Sequence, residues 1–251
     1  MSNQIRILHM IGSLEYGGSQ AMVINLYKAI DRDKIQFDFI MDKPQNNALL
    51  SVVKQLGARV YTLPYFKGNN YMEVKNAWDA FLKEHTEYRI LHSHIRSYAS
   101  IYLPIAKKYG LKTIIHSHST SNGKGIKAIA KSIMQYPLRW QADYYFACSV
   151  KAGQWLFGNK IVKKDNFVVL KNAIDAKKFV YNDNQRIEAR NSLGIKKEFV
   201  LGFLGRVTEP KNPFFVIDVF KEICNIKDNC RLLFVGEGDL LENIKTYAKQ
   251  L

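Results

Sequence analysis

The 251 residues, 47% of them hydrophobic, exceed what one ordinary domain needs for a buried core, so one full domain and part of a second are expected. The formal charge of +15 is concentrated: thirteen Lys or Arg face the single acid Asp143 between Arg89 and Lys164, which calls for an anionic partner. Three cysteines, Cys148, Cys224 and Cys230, contain no Cys-x-x-Cys pair and exclude a disulfide framework and a cysteine zinc site. They suit a reducing cytoplasm, while the apolar run after the polar start Met1 to Arg6 is too short for a signal peptide or a spanning helix, so any membrane attachment would be peripheral.

Strand-like runs fall at 5–11, 37–41, 59–63, 90–93, 113–116, 144–147 and 167–170. Between them, three-to-four apolar spacing predicts helices at 19–30, 48–55, 71–84, 100–108, 124–138 and 151–157. Short strands alternating with helices require crossover connections, hence an α/β fold with a parallel sheet covered on both faces: one complete Rossmann-like domain over 1–171. Residues 172–197, opening with Asn-Ala-Ile-Asp and closing on a charged helical piece that ends at Gly194, read as a hinge or linker. A second alternation follows: strand 199–204, helix 213–223, strand 231–235, helix 240–251. Two strands are too few to cover both faces of their own sheet, so 198–251 reads as an incomplete second Rossmann-like domain, either truncated or completed by another chain.

The candidate sites follow the same order. The first strand runs into Gly12-Ser-Leu-Glu-Tyr-Gly17-Gly18-Ser19-Gln20, where Gly17 and Gly18 allow close backbone approach to a ligand and Ser19 could cap the next helix toward an anion. A tight structural turn is the alternative reading, and the absence of Gly-x-Gly-x-x-Gly leaves a dinucleotide cofactor unsupported. His92 and His94, then His116 and His118, end two neighbouring strands, where open α/β sheets bind ligands; a lone histidine there would more often be structural. Zinc needs three ligands with carboxylate support, and no acid accompanies either pair, so no metal is expected. In 124–140, Lys124, Lys127 and Lys131 share one helical face and Ile126, Ile129, Ala130 and Ile133 another, with Tyr136 and Trp140 as interfacial anchors. That pattern suits a helix on anionic lipid, or a solvated basic face over a core-facing stripe. No nucleic-acid-reading motif organises the charge. After the apolar run 199–204, the loop 205–212 delivers Arg206 and Lys211 at a strand end, a place to hold a diphosphate, and Pro210 is expected to start a helix whose dipole points the same way.

Six features in order carry a resemblance: Gly-Gly-Ser-Gln at 17–20, His-Ser-His at 116–118, Ala-Cys-Ser at 147–149, Asn-Ala-Ile-Asp at 172–175 with Phe179, Gly-Arg at 205–206 with Lys211 and Asn212, and Val-Gly-Glu-Gly-Asp at 235–239. Over essentially its whole length the chain resembles the retaining, nucleotide-sugar-dependent glycosyltransferases of family four, with the GT-B fold, most of all the bacterial exopolysaccharide and capsule group. The resemblance implies that Gly17 and Gly18 lie against the donor, that His118 contacts the transferred sugar, and that Arg206 and Lys211 bind the departing diphosphate without a metal ion. It also places Gly236 at the donor. Gln20 stands where the family often has Glu and Ala173 where the hinge motif usually has Gly, while the family's pair of glutamates eight positions apart would come after Leu251. The expected activity is transfer of a sugar, from a uridine diphosphate donor, to a lipid-linked or growing polysaccharide with retained configuration, at the inner face of the plasma membrane. The alternative is a non-catalytic acceptor- or membrane-binding subunit whose second domain a partner chain completes.

Overall fold

The computed structural model describes residues 4–43 and 48–250; Met1 and Leu251, the outer limits of two sequence-based segments, lie outside the described residues. The chain divides into two compact units, Met1–Ala176 and Lys177–Leu251.

The first unit is built on a seven-stranded parallel sheet of β1 (Ile5–Gly12), β2 (Ile35–Met41), β3 (Val60–Thr62), β4 (Ile90–Ser93), β5 (Lys112–Ser117), β6 (Tyr144–Ala147) and β7 (Phe167–Val169). The helices are α1 (Gly18–Ala29), α2 (Leu50–Gln55), α3 (Tyr71–Glu84), α4 (Ala99–Lys108), α5 (Ile126–Gln135), α6 (Leu138–Gln141) and α7 (Val150–Phe157). The sheet order β3-β2-β1-β4-β5-β6-β7 makes the unit doubly wound, with its switch point between β1 and β4. Alternation along β1 sends Leu8 and Met10 into one core with Trp78 of α3 and Tyr102 of α4, whose rings stack at 4.3 Å. The same alternation sends Ile11 to the opposite core, with Phe37 and Phe39 of β2 and Met22, Val23 and Tyr27 of α1.

The second unit contains α8 (Asp183–Ser192), β8 (Phe199–Leu204), α9 (Pro213–Ile226), β9 (Cys230–Val235) and α10 (Leu241–Gln250). Its two strands pair in parallel from Phe199↔Cys230 to Leu204↔Val235, over a small core of Val207, Ile217 and Ile244.

Three local expectations change. The helix read over 124–138 is two helices. Gly125, with φ +82°, precedes Ile126, so Lys124 is off the helix, and Pro137 begins the separate α6 that carries Trp140. Proline lacks the N–H that a continuing helix would use. Pro210 lies in a 3₁₀ turn, Glu209–Lys211, and the helix starts at Pro213, after Asn212 has reversed the chain with φ +45°. Ser19 does not cap α1: the cap position is Gly17, and the Ser19 hydroxyl donates to Gln20 Oε1. Among the described residues no helix is long and apolar enough to cross a membrane.

Candidate functional site

The period-two spacing of His92 with His94 and of His116 with His118 puts all four rings on one face at the carboxyl ends of β4 and β5, and the register His9↔His92 adds His9 from β1. His9, His92, His94 and His116 are buried, and His118 nearly so. The rings are linked: His9 Nδ1 to His94 Nε2 at 3.1 Å, His94 Nδ1 to His118 Nε2 at 2.8 Å, and His92 Nε2 to His116 Nδ1 at 3.2 Å. Phe146 closes the array edge-on, 5.4 Å from His92 and 5.9 Å from His116. Burial, reinforced by neighbouring rings, lowers every pKa: His118 to about 4, His92 to about 3, His116 to about 2, and His9 and His94 well below the usual value; at His118 the secondary cause is Arg96. The array is therefore neutral at pH 7.

Neutral imidazoles in a chain share one proton order. If His94 donates to His118, His9 must donate to His94; reversing one bond reverses the other. The buried His118 Nδ1 and His9 Nε2 have no partner among the described residues and form the two open ends. A group that binds His118 Nδ1 thus selects the tautomer of all three rings.

Metal ligation suits this array poorly. His9, His92 and His94, and likewise His94, His116 and His118, bring nitrogens within 4.8 Å of one another, a convergence that the sequence reading did not expect. Within each strand, however, the rings stack, His92 on His94 at 4.4 Å and His116 on His118 at 4.0 Å, with interplanar angles of 26° and 25°. Their lone pairs therefore lie in two nearly parallel ring planes, whereas a tetrahedral ion needs them to converge on one point.

The glycine turn between β1 and α1 is open. A Cβ on Gly18 would meet nothing within 4 Å, and one on Gly17 only the end of Gln20, whose Nε2 donates to Ser13 O. Lys124, Lys127, Lys131 and Trp140 are all exposed, and so are Ile126 (85%), Ile129 (62%) and Ile133 (68%). The apolar stripe of α5 is not a core face.

In the second unit, Arg206 and Lys211 are exposed on the loop after β8, and among the described residues neither side chain has an ion pair or hydrogen bond. The loop is braced by its neighbour after β9: Gly205 N–H donates to Val235 O at 3.0 Å and Val207 N–H to Glu237 O at 2.9 Å. Gly236, φ +148°, sits where a Cβ would lie 1.9 Å from Gly205 O, and a Cβ on Gly238 would lie 2.1 Å from Val207 O. Both glycines are thus required by backbone packing between the loops, whatever else approaches them.

The sequence identified four of the five histidines. His9 escaped because it stands alone in its strand, and only the β1–β4 register joins it to His92.

A family model for glycosyltransferase family 4 matches residues 16–178, and one for glycosyl transferases group 1 matches residues 185–251. EpsF of Bacillus subtilis (strain 168), designated a glycosyltransferase by name, is 27% identical over 255 residues, covering 99% of this chain and 66% of its own. Among solved structures, Anabaena Alr3699/HepE in complex with UDP and glucose superposes with a TM-score of 0.73 at 17% identity, covering 98% of this chain and 64% of that one. A glycosyltransferase from Rickettsia africae ESF-5 gives 0.72 at 15% identity, covering 99% and 64%. The chain therefore spans about two thirds of the length of these relatives. With its α/β architecture, its seven-stranded parallel sheet and a family match over more than half its residues, the chain belongs to glycosyltransferase family 4, of the GT-B type.

Proposed function

We propose that the protein takes part in transferring a sugar from a nucleotide diphosphate donor, uridine diphosphate being the carrier, to a lipid-linked or growing cell-surface polysaccharide, with retention of configuration. The observation that carries the reading is the pair Arg206 and Lys211, cations without ion-pair or hydrogen-bond partners among the described residues, at the carboxyl end of β8, in a chain of this family. A guanidinium fork and an ammonium point charge together neutralise a departing diphosphate without a divalent ion. Within the first unit, taken by itself, His118 has an open Nδ1 among the described residues and a ring held by His94, and the glycine turn at Gly17 and Gly18 is exposed. HepE binds UDP and glucose, which makes the same carrier the first to test here. The exposed isoleucines of α5, with Lys124, Lys127, Lys131 and Trp140 around them, support a peripheral seat on the anionic inner face of the plasma membrane, where a lipid-linked acceptor is presented.

Calorimetric titration with uridine diphosphate tests the donor half. Micromolar binding is expected, insensitive to EDTA and lost in Arg206→Ala. Binding unchanged in that variant would remove Arg206 from the donor site, and no binding to a chain with native circular dichroism would remove the donor reading from this polypeptide.

A further inference from the structure

The five clustered histidines are not equivalent. Three of them, His9, His94 and His118, form one chain of nitrogen-to-nitrogen contacts that leads outward from the interior of the first unit. His9 is 1% exposed and packs against Phe37 at 4.2 Å and Phe39 at 5.6 Å, His94 is 7% exposed, and His118 is the one ring of the five that is not fully buried. The His94 ring plane lies 11° from that of His9 and 27° from that of His118, so N–H groups and lone pairs meet close to the ring planes.

Burial keeps the rings neutral at pH 7, so each carries one N–H and one bare nitrogen, and only two proton orders keep both bonds. In the outward order, His9 Nδ1–H donates to His94 Nε2 and His94 Nδ1–H donates to His118 Nε2, which leaves an N–H at His118 Nδ1 and a bare lone pair at His9 Nε2. The inward order exchanges the two ends. Both orders make the same two hydrogen bonds, so the ends decide between them. His9 Nε2 has no partner among the described residues and lies among aromatic rings in the interior. A buried N–H left without an acceptor is rarer in proteins than an under-used acceptor. The inward order strands an N–H at His9, whereas the outward order strands only a lone pair there and brings the N–H to His118, the ring nearest solvent.

The other two rings supply the contrast. His92 Nε2 and His116 Nδ1 are 3.2 Å apart, and this pair meets the chain through stacked faces, His92 on His94 at 4.4 Å and His116 on His118 at 4.0 Å. A ring face carries no N–H, so the pair packs against the chain without setting its protons.

We propose that His94 is a positioning residue that fixes His118 as its Nδ1–H tautomer, with His9 as the inner donor of the chain, so that His118 meets its ligand as a hydrogen-bond donor. The inference rests on the glycosyltransferase reading for the identity of that ligand, and adds to it the polarity of the contact and the two residues behind it. A neutral N–H suits a hydroxyl or phosphate oxygen and offers nothing to an ammonium group.

The test is NMR of the 251-residue chain carrying nitrogen-15 histidine, at neutral pH, in which long-range proton–nitrogen correlations separate protonated from bare ring nitrogens. The parent should show Nδ1 protonated and Nε2 bare at His9, His94 and His118. His94→Leu, which removes the donor to His118 Nε2, should lower the ratio of Nδ1–H to Nε2–H at His118 by about tenfold, the scale of one hydrogen bond. His92→Leu removes a ring as deeply buried, at 6% exposure, from outside the chain and should leave that ratio unchanged. A proton on His118 Nε2 in the parent would overturn the proposal, whether or not His94→Leu folds. A ratio that the folded His94→Leu chain retains, or that His92→Leu shifts equally, would overturn it too. Uridine diphosphate glucose added to the parent should move the His118 Nδ1 resonance while the proton stays on that nitrogen, and loss of the proton on binding would overturn the donor polarity. No response to this probe, with the tautomers as expected, would support the proton order and count against the donor reading instead.

Discussion

Single residues divide into those whose role follows from spacing and those whose role follows only from contact. Gly17, Gly18 and Gly236 look alike in the sequence, three glycines at strand ends, yet their surroundings differ. Gly17 and Gly18 lie at an open surface, Gly17 with an extended φ of −162° that any residue adopts, whereas Gly236 faces the carbonyl of Gly205 across a gap with no room for a Cβ. Gly18→Ala should therefore leave the free energy of unfolding, read by urea titration, within about 0.5 kcal/mol of the parent. Gly236→Ala combines a φ of +148° with a backbone overlap that no rotamer relieves, and should cost about 3 kcal/mol or more, read as early urea unfolding of the second unit by circular dichroism. Parent-like unfolding of Gly236→Ala would show that the two loops part easily and that the bracing described above is not needed. The histidines show the same division. The pairs at 92/94 and 116/118 announce one strand face by their period, but His9 is a single histidine, and the register that brings it to His92 depends on which strands are neighbours.

At the scale of elements, hydrophobic periodicity was a good guide to where strands and helices lie and a poor guide to what covers them. The stripe Ile126, Ile129, Ile133 fits a core-facing helix as well as a membrane-facing one; only burial separates the two, and the stripe is exposed. The ends of α5 were misplaced because three-to-four spacing runs on past Gly125 and Pro137, whose backbone constraints end the helix. Exposure on both sides of α5 gives a prediction that separates lipid docking from packing. Ile129→Asp with Ile133→Asp should change stability by no more than about 0.5 kcal/mol each, where two core isoleucines would cost several kcal/mol. The same pair should abolish cosedimentation with phosphatidylglycerol vesicles. Lys124→Glu, Lys127→Glu and Lys131→Glu should weaken it by at least tenfold, since each basic residue near an anionic surface contributes about 1 kcal/mol. Cosedimentation that survives both sets of changes would remove α5 from membrane binding.

For the whole molecule, the fold class was legible because a doubly wound sheet repeats one simple rule, a strand followed by a helix, seven strands in succession. What the rule leaves out is the cost of placing five histidines in the interior of the first unit, and that cost is a function of pH. Each of the five has its folded pKa lowered from about 6.5, chiefly by burial, so the unfolded chain binds protons that the folded chain refuses. Stability is complete above the unfolded pKa and falls as the pH drops through the window from about 6.5 toward 4, where His118 is the first ring with a stated pKa to accept a proton in place. One pH unit into that window each refused proton costs about 1.4 kcal/mol. Two such histidines remove about 3 kcal/mol from a domain typically stable by 5–15 kcal/mol, and five remove more. Asp42, whose pKa burial raises, acts in the opposite direction over its own range, but as one group against five. The urea midpoint should therefore drop steeply between pH 7.5 and 5.5. Replacing His92 and His116 together by phenylalanine, which suits the aromatic surroundings of Phe146, should flatten the decline by the share of two histidines. A midpoint constant across that interval would mean that the array takes up protons while folded, and the proton order that couples His9, His94 and His118 would then be lost as well.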